Sequence, residues 1–209
     1  MYKTGVSEII SKGQSSISST KELVKKIIFF IFYTMTFFSY SNVMAYEESK
    51  YNVVKSNEIY EIRKYSDRLA IQVVNTNQNN SFQKLFNYIS GNNETNEEIK
   101  MTTPVTQMKK KGNMTMQFYL PSNFNKDNVP NPSRFDVEIV NIEGGYYAAI
   151  RYSGRASDKN FIKHKEILEN ELKKDNISIA VPAIKETYNS PFTLPMLRRN
   201  EAMFEVNWK

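Results

Sequence analysis

The clearest periodic pattern in the chain lies in residues 81–89, where large apolar side chains recur at helical spacing. They stand at positions i, i+3, i+4 and i+7, which places them on one face of a short amphipathic helix: Phe82, Leu85, Phe86 and Ile89. Asn80 or Ser81 is suited to be the N-cap residue, and Gly91 is suited to the left-handed residue that often follows a helix. The apolar face must pack against a sheet, a partner or a ligand.

Alternating apolar and polar positions predict strands on both sides of this helix. The predicted strands cover residues 51–65 as one or two segments, and residues 68–76, 114–120, 137–142, 146–152, 177–184 and 202–208. Gly144 and Gly145 predict a hairpin turn between two of them. A second helix is predicted from Ser157 or Asp158 to about Lys174.

The order of these elements indicates an internal duplication. Each half of the chain contains a strand pair, a helix and further strands, and residues 61–73 weakly resemble residues 140–152. Two such units can join their sheets, with both helices packed on the result. The sequence therefore predicts an α+β fold, a distorted antiparallel β-barrel or curved sheet built from two pseudo-repeated strand-helix-strand units with two flanking helices.

Residues 1–45 have the features of a leader that precedes a domain at residues 46–209. Lys25 and Lys26 come before an uncharged, largely apolar run at residues 27–40, and Val43, Met44 and Ala45 form a small-x-small cleavage signal. We expect export to the periplasm or secretion. The alternative is an uncleaved membrane tether through residues 27–45, which are uncharged throughout.

Composition excludes several classes of function. Five lysines and two glutamates in residues 1–26 supply +3 of the formal net charge of +6, so the rest of the chain is only mildly basic and we expect no nucleic-acid partner. The chain has no cysteine, which excludes disulfides, thiolate metal sites and cysteine nucleophiles. No nucleophile elbow, phosphate loop or zinc-protease motif is present. We therefore expect a protein that is not an enzyme.

Three separated stretches carry a resemblance to a known family. The stretch YISGNNE followed by KMTTPV at residues 100–105, the stretch FYLPSNF, and the run YNSPFTLPMLRRNEAMFEV at residues 188–206 occur in that order. Together they resemble the SOUL haem-binding protein family over roughly residues 51–208. The resemblance implies a distorted barrel with two flanking helices and a haem or other tetrapyrrole ligand.

By position, the resemblance assigns the haem surface to the first helix. The apolar contact would come from Phe82, Leu85, Phe86 and Ile89, and Lys84 would be the cation on that helix for a propionate. Asn79 and Asn87 stand where haem-binding relatives tend to be basic, while Lys100 and Arg198 can contribute only if the fold brings them near. Met101 could supply a thioether contact or ligand, or could be a core methionine.

His164 is the only histidine and therefore the candidate axial ligand of a haem iron. The alternative is a helix-edge histidine bonded to backbone or water. The function predicted from the sequence is non-catalytic binding of haem or another tetrapyrrole on the apolar helix face. The alternative is an envelope interaction protein that uses the same face for a protein, peptide or lipid.

Overall fold

The computed structural model describes residues 21, 23–30, 46–75, 80–110, 112–180 and 182–208. The chain divides into two compact units, Met1–Ala45 and Tyr46–Lys209. In the first unit, residues 23–30 are helical, and most of the apolar run predicted to be a leader or tether lies outside the described residues. None of the helices within the described ranges is long and apolar enough to cross a membrane.

Within the described residues, the second unit has eleven strands, two helices and a short 3-10 turn. In chain order they are β1 (Glu47–Glu48), β2 (Tyr51–Ser56), β3 (Glu61–Tyr65), β4 (Arg68–Asn75), α1 (Ser81–Ile89), β5 (Thr102–Thr103), β6 (Val105–Lys110), β7 (Asn113–Tyr119), β8 (Glu138–Ile142), β9 (Gly145–Tyr152), α2 (Asp158–Lys174), β10 (Ile184–Thr187), the 3-10 turn (Pro195–Leu197) and β11 (Asn200–Glu205).

Nine of these strands form one curled antiparallel sheet in the order β2-β3-β9-β11-β10-β6-β7-β4-β8. The order is nearly symmetric about the central pair, β10 and β6. Strands β6, β7 and β4 come from the first half, and β10, β11 and β9 occupy the matching places in the second. Strands β3 and β8 each pair with the other half, β3 with β9 and β8 with β4. This confirms the predicted curved sheet of two related units.

Each helix packs on the outer strands of its own half. Helix α1 contacts β4 and β7, and helix α2 contacts β11 and β9. Under α1, Leu85, Tyr88 and Ile89 form a core with β4 and β7, and under α2, Leu168 and Leu172 form a second core with β9 and β11. Every residue of these two cores lies within residues 46–209.

The helix boundaries follow from local chemistry, with one difference from the prediction. Asn80 is the N-cap of α1 but has φ +69° and accepts no capping hydrogen bond through its side chain. Ser157 caps α2 as predicted, because its hydroxyl accepts from the Asn160 amide at 3.3 Å. Gly91 follows α1 with φ +97°, the left-handed conformation predicted for it.

Two strand predictions were wrong. Gly144 and Gly145 do not join a hairpin, because β8 pairs with β4 while β9 pairs with β3 and β11. The apolar run at residues 177–184 was assigned to a strand, but the paired strand is β10, Ile184–Thr187. Pro182 lacks an amide hydrogen and cannot donate to a ladder, which moves the pairing towards the polar residues that follow. Those polar residues, Lys185 and Glu186, are buried in the folded domain.

Candidate functional site

A groove of about 470 Å³ lies above the central strands, between the areas that the two helices cover. Val105 and Gln107 of β6 and Lys185 and Thr187 of β10 line it, because alternate residues of a strand face the same side of a sheet. The helices cover the outer strands of each half, so this central pair is left open. The groove is thus a consequence of the duplicated architecture.

Helix α1 supplies the apolar wall of the groove. Phe82 and Phe86 both line it, with ring centroids 6.1 Å apart and ring planes 12° apart. They are 47% and 43% exposed, although Phe82 also makes an edge contact with the buried Phe118 at 5.2 Å. Two large apolar rings therefore lie nearly parallel and remain about half exposed at the groove.

The opposite wall is polar and includes positive charge. It is formed by Tyr188, Asn189, Ser190, Pro191 and Arg198. Arg198 donates from Nε to the Thr193 carbonyl at 2.7 Å, which holds the guanidinium beside the groove. Lys185 donates from Nζ to Asp158 at 2.7 Å, so its charge is partly balanced by that carboxylate. Arg198 and Lys185 are the groove cations among the described residues.

The structure brings three of the predicted ligand-binding residues together. Phe82, Phe86 and Met101 line the groove, and Met101 is only partly buried. Leu85 and Ile89 do not line it, because they belong to the same helix but point into the core against β4 and β7. Their predicted contact with a ligand therefore needs correction: they support the wall of the groove from below.

Lys84 is also placed away from the groove. Its Nζ lies 2.8 Å from Asp136 Oδ2, on the far side of α1 from the Phe82 ring row. Arg134 donates to the same carboxylate, and these hydrogen bonds, first from Arg134 and then from Lys84, hold the pKa of Asp136 well below its usual range. Lys84, the cation predicted to bind a haem propionate, is therefore paired with Asp136 instead.

His164 lies partly buried on α2 against β9 and does not line the groove. Its ring stacks on Tyr152 with centroids 4.0 Å apart, and Nδ1 lies 2.8 Å from the Asn160 carbonyl oxygen. This matches the alternative of a histidine bonded to backbone. Within the described ranges, no three His, Asp or Glu side chains group closely enough to hold a metal ion.

The sheet also holds a buried ionic network. Arg63 donates to Glu201 through Nη1 at 2.5 Å and Nη2 at 3.2 Å, and Arg199 donates to Glu201 through Nε at 2.9 Å. Burial opposes the ionisation of Glu201, but the hydrogen bonds and charges of both arginines hold its pKa below the usual value. The network ties β3 to β11.

Glu186 lies beside this network without a cation of its own. It accepts from the Tyr188 hydroxyl at 3.0 Å, and the same hydroxyl lies 3.1 Å from Glu201. Burial, and then the negative charge of Glu201, raises the pKa of Glu186 to about 7. Sequence periodicity did not identify these buried charged residues, because a charged residue on a short strand has the sequence pattern of a solvent-exposed one.

The N-terminal strand borders the same region. Strand β1 pairs in parallel with β5, and Glu48 accepts from Arg199 at 2.8 Å. Tyr46, directly before β1, lines the groove next to the α1 wall. The start of the domain therefore contributes to the site.

Comparison with known proteins decides the family. The chain matches the family profile described as "SOUL heme-binding protein" over residues 46–205. The protein belongs to the SOUL haem-binding family. This confirms the resemblance seen in the sequence, and the matched range spans nearly all of the unit that carries the groove. No curated protein sequence matches the chain.

Solved structures share the fold at low sequence identity. The C-terminal domain of EcmrR superposes with a TM-score of 0.55 and 10% identity, covering 75% of this chain and 98% of that one. An uncharacterized conserved protein from Listeria innocua superposes with a TM-score of 0.52 and 10% identity, covering 72% of this chain and 93% of that one. A protein described as a hydrolase from Listeria innocua superposes with a TM-score of 0.50 and 11% identity, covering 74% of this chain and 94% of that one. At these identities the likeness concerns the fold alone.

Proposed function

We propose that the SOUL domain binds haem or another tetrapyrrole in the groove, without catalysing a reaction on it. The observation that carries this proposal is the pair of nearly parallel, half-exposed rings of Phe82 and Phe86 on one wall of the groove. A flat apolar macrocycle gains most by covering such rings. Membership in a haem-binding family supports the choice of ligand.

The residues present fit the macrocycle and its acidic groups. The groove volume of about 470 Å³ lies within the range of about 300–1,000 Å³ usual for small-molecule sites. Phe82, Phe86 and Met101 would hold the apolar face of the ligand. Arg198, with Lys185 behind it, would hold carboxylates at the polar wall, because charge-assisted hydrogen bonds to carboxylates are the strong ones.

The donor set around the groove does not favour an axial histidine. His164 stacks on Tyr152 and does not line the groove, so it would take no part in ligation there. Met101 is the side chain of the groove with a thioether donor. Bound haem supplies a flat conjugated surface and a redox-active iron, and the chain's own contribution is apolar contact on one face and positive charge at the rim.

We also propose that residues 1–45 direct this domain out of the cytoplasm, as a cleaved leader or as a tether. The support is the order of lysines, apolar run and small-x-small signal in the sequence. Expression of the full chain, followed by N-terminal sequencing of the exported product, tests this proposal. A product that begins at Tyr46 supports cleavage, and a product retained whole in the membrane fraction supports the tether.

The test of ligand binding is a haem titration of purified residues 46–209, followed by the Soret absorbance. We expect saturable binding that Phe86→Asp weakens by about tenfold or more, since burying one large apolar side chain contributes about 1.5–3 kcal/mol. Phe135→Asp is the matched control, because Phe135 is 97% exposed and does not line the groove.

The outcome separates the two functions predicted from the sequence. A Soret change that Phe86→Asp removes and Phe135→Asp preserves would support haem binding at the groove. No Soret change at micromolar haem would count against it and favour the alternative, a partner protein, peptide or lipid on the same face.

A further inference from the structure

A loop beside the groove exposes four large apolar side chains. In residues 191–197, hereafter the 191–197 loop, Phe192 is 94% exposed, Met196 74%, Leu197 68% and Leu194 59%. No charged residue interrupts the loop. Single exposed apolar residues are ordinary, but a contiguous group of this kind on one loop usually marks an interaction site.

The loop is ordered by its own hydrogen bonds. The Thr193 amide donates to the Ser190 carbonyl at 3.0 Å, and the Leu197 amide donates to the Leu194 carbonyl at 2.9 Å. The Gly154 amide donates to the Pro195 carbonyl at 2.8 Å, which fixes the loop to the segment that leads into α2. The apolar side chains are therefore displayed by a fixed backbone.

Four carbonyls of the loop have hydrogen-bond partners within the protein. The carbonyls of Pro191 and Thr193 accept hydrogen bonds from the Arg198 guanidinium, and those of Leu194 and Pro195 accept from amides. Pro191 and Pro195 have no amide hydrogen to satisfy. These four carbonyls therefore keep their hydrogen bonds when water is excluded from the loop.

The charge at the base of the loop favours an anionic surface. Residues 188–200 contain Arg198 and Arg199 and no acidic residue. Arg199 is paired with Glu48 and Glu201, whereas Arg198 donates to carbonyls, so no carboxylate among the described residues neutralises it. Apolar side chains at a loop tip with a cation directly behind them are the arrangement of elements that lie in the headgroup boundary of anionic membranes.

We propose that the 191–197 loop docks the domain on an anionic lipid bilayer, with Phe192 and Met196 inserted at the headgroup boundary. Ser190, Pro191 and Arg198 also line the groove, so docking brings the groove to the membrane surface. An apolar ligand could then pass between bilayer and groove without crossing water. The docking itself does not depend on which ligand the groove binds.

Vesicle sedimentation of residues 46–209 tests the proposal without interference from the leader. Vesicles of phosphatidylcholine with about a third phosphatidylglycerol are compared with pure phosphatidylcholine, at low and at physiological salt. We expect binding to the anionic vesicles that weakens with salt. The double variant Phe192→Ser/Met196→Ser should bind them about tenfold more weakly or worse, because two inserted side chains are lost.

Phe135→Ser is the matched control, since Phe135 is as exposed as Phe192 but has charged neighbours, Arg134 and Asp136, on both sides. It should sediment like the wild type. Equal losses in both variants, or no binding by the wild type, would overturn the proposal. The double variant should keep the wild-type Soret titration in the absence of vesicles, which separates this proposal from ligand binding.

Fluorescence gives a second, site-specific readout. A Phe192→Trp variant adds one indole to the single tryptophan of the chain. Its emission should shift to shorter wavelength with anionic vesicles and be quenched by brominated lipid. An unchanged spectrum would contradict insertion. If the wild type instead forms dimers without lipid, and the double variant restores the monomer, the loop belongs to an interface between two copies and the membrane proposal is wrong.

Discussion

The imidazole ring of His164 lies flat against the phenol ring of Tyr152, with centroids 4.0 Å apart and planes 7° apart. The Nδ1 atom makes its hydrogen bond with the Asn160 carbonyl one turn earlier in α2. The histidine is thus held by its own helix and by β9, and its role is in the packing of the second half. Neither ring lines the groove.

We expect His164→Ala to leave the Soret titration unchanged. The substitution removes a stacked ring pair, so the free energy of unfolding should fall by about 0.5–1.5 kcal/mol. Soret spectra and urea denaturation of the variant measure the two effects separately. A Soret maximum that moves in His164→Ala would show that the histidine reaches the iron after all.

Two substitutions in helix α1 test which of its residues contact the ligand and which only stabilise the fold. Phe82→Ala removes half of the exposed ring pair and should weaken haem binding, with a modest effect on stability because the ring is half exposed. Leu85→Ala truncates a fully buried side chain and should lower the free energy of unfolding by about 2–5 kcal/mol. Urea denaturation measures the change in stability of each variant, and haem titration at low temperature measures the change in affinity. Equal losses of haem affinity in the two variants would contradict the assignment of Phe82 to the groove and Leu85 to the core.

The cation that recognises ligand carboxylates should be Arg198 and not Lys84. We expect wild-type protein to bind haem more tightly than haem dimethyl ester, whose carboxylates carry no charge. In Arg198→Gln this difference should shrink by about 1.5–3 kcal/mol, the usual contribution of a charged hydrogen bond. Lys84→Gln is the control and should keep the difference, because Lys84 is paired with Asp136. If the wild-type protein binds the ester and haem with equal affinity, no cation of the protein takes part in recognising the carboxylates.

Glu186 should make the domain less stable as pH rises. Its pKa is raised from 4.5 to about 7 in the folded state, so between these values the folded protein binds more protons than the unfolded chain. The free energy of unfolding therefore falls between pH 4.5 and 7, by about 3 kcal/mol at most, and this contribution is constant above pH 7. Glu201, with a lowered pKa, acts only below its usual value and does not affect this window.

Glu186→Gln removes the titrating group and keeps a hydrogen-bond acceptor for Tyr188. We expect the variant to be more stable than wild type at pH 8 and to lose the slope between pH 5 and 7. Urea denaturation at several pH values measures both. A wild-type slope that survives in the variant would assign the pH dependence to another group.

The sequence predicted the fold well because two of its signals are strong. Residues 61–73 and 140–152 both carry alternating apolar and polar positions, and their equivalence appears in the sheet as the pairing of β3 with β9 and of β8 with β4, each across the two halves. The helical stripe of α1 was equally clear. Patterns repeated in both halves constrain the fold twice, so an error in one element, such as β10, did not change the architecture.

The site was predicted less completely, for a geometric reason. Positions 82 and 86 form one row of the α1 stripe, and 85 and 89 form a second row about 60° away around the helix. Periodicity identifies both rows of apolar residues, but it does not show how the helix is oriented on the sheet. That orientation buries the second row in the core and leaves the first row partly exposed. Lys185 and Arg198 enter the groove through strand pairing and loop hydrogen bonds, which local sequence does not encode.

The parallel pairing of β1 with β5 has a practical consequence for laboratory work. Because Tyr46 precedes β1 directly and lines the groove, an affinity tag fused ahead of it would begin at the mouth of the site and could compete with any guest molecule. Purification handles for spectroscopy should therefore be attached after the last strand instead.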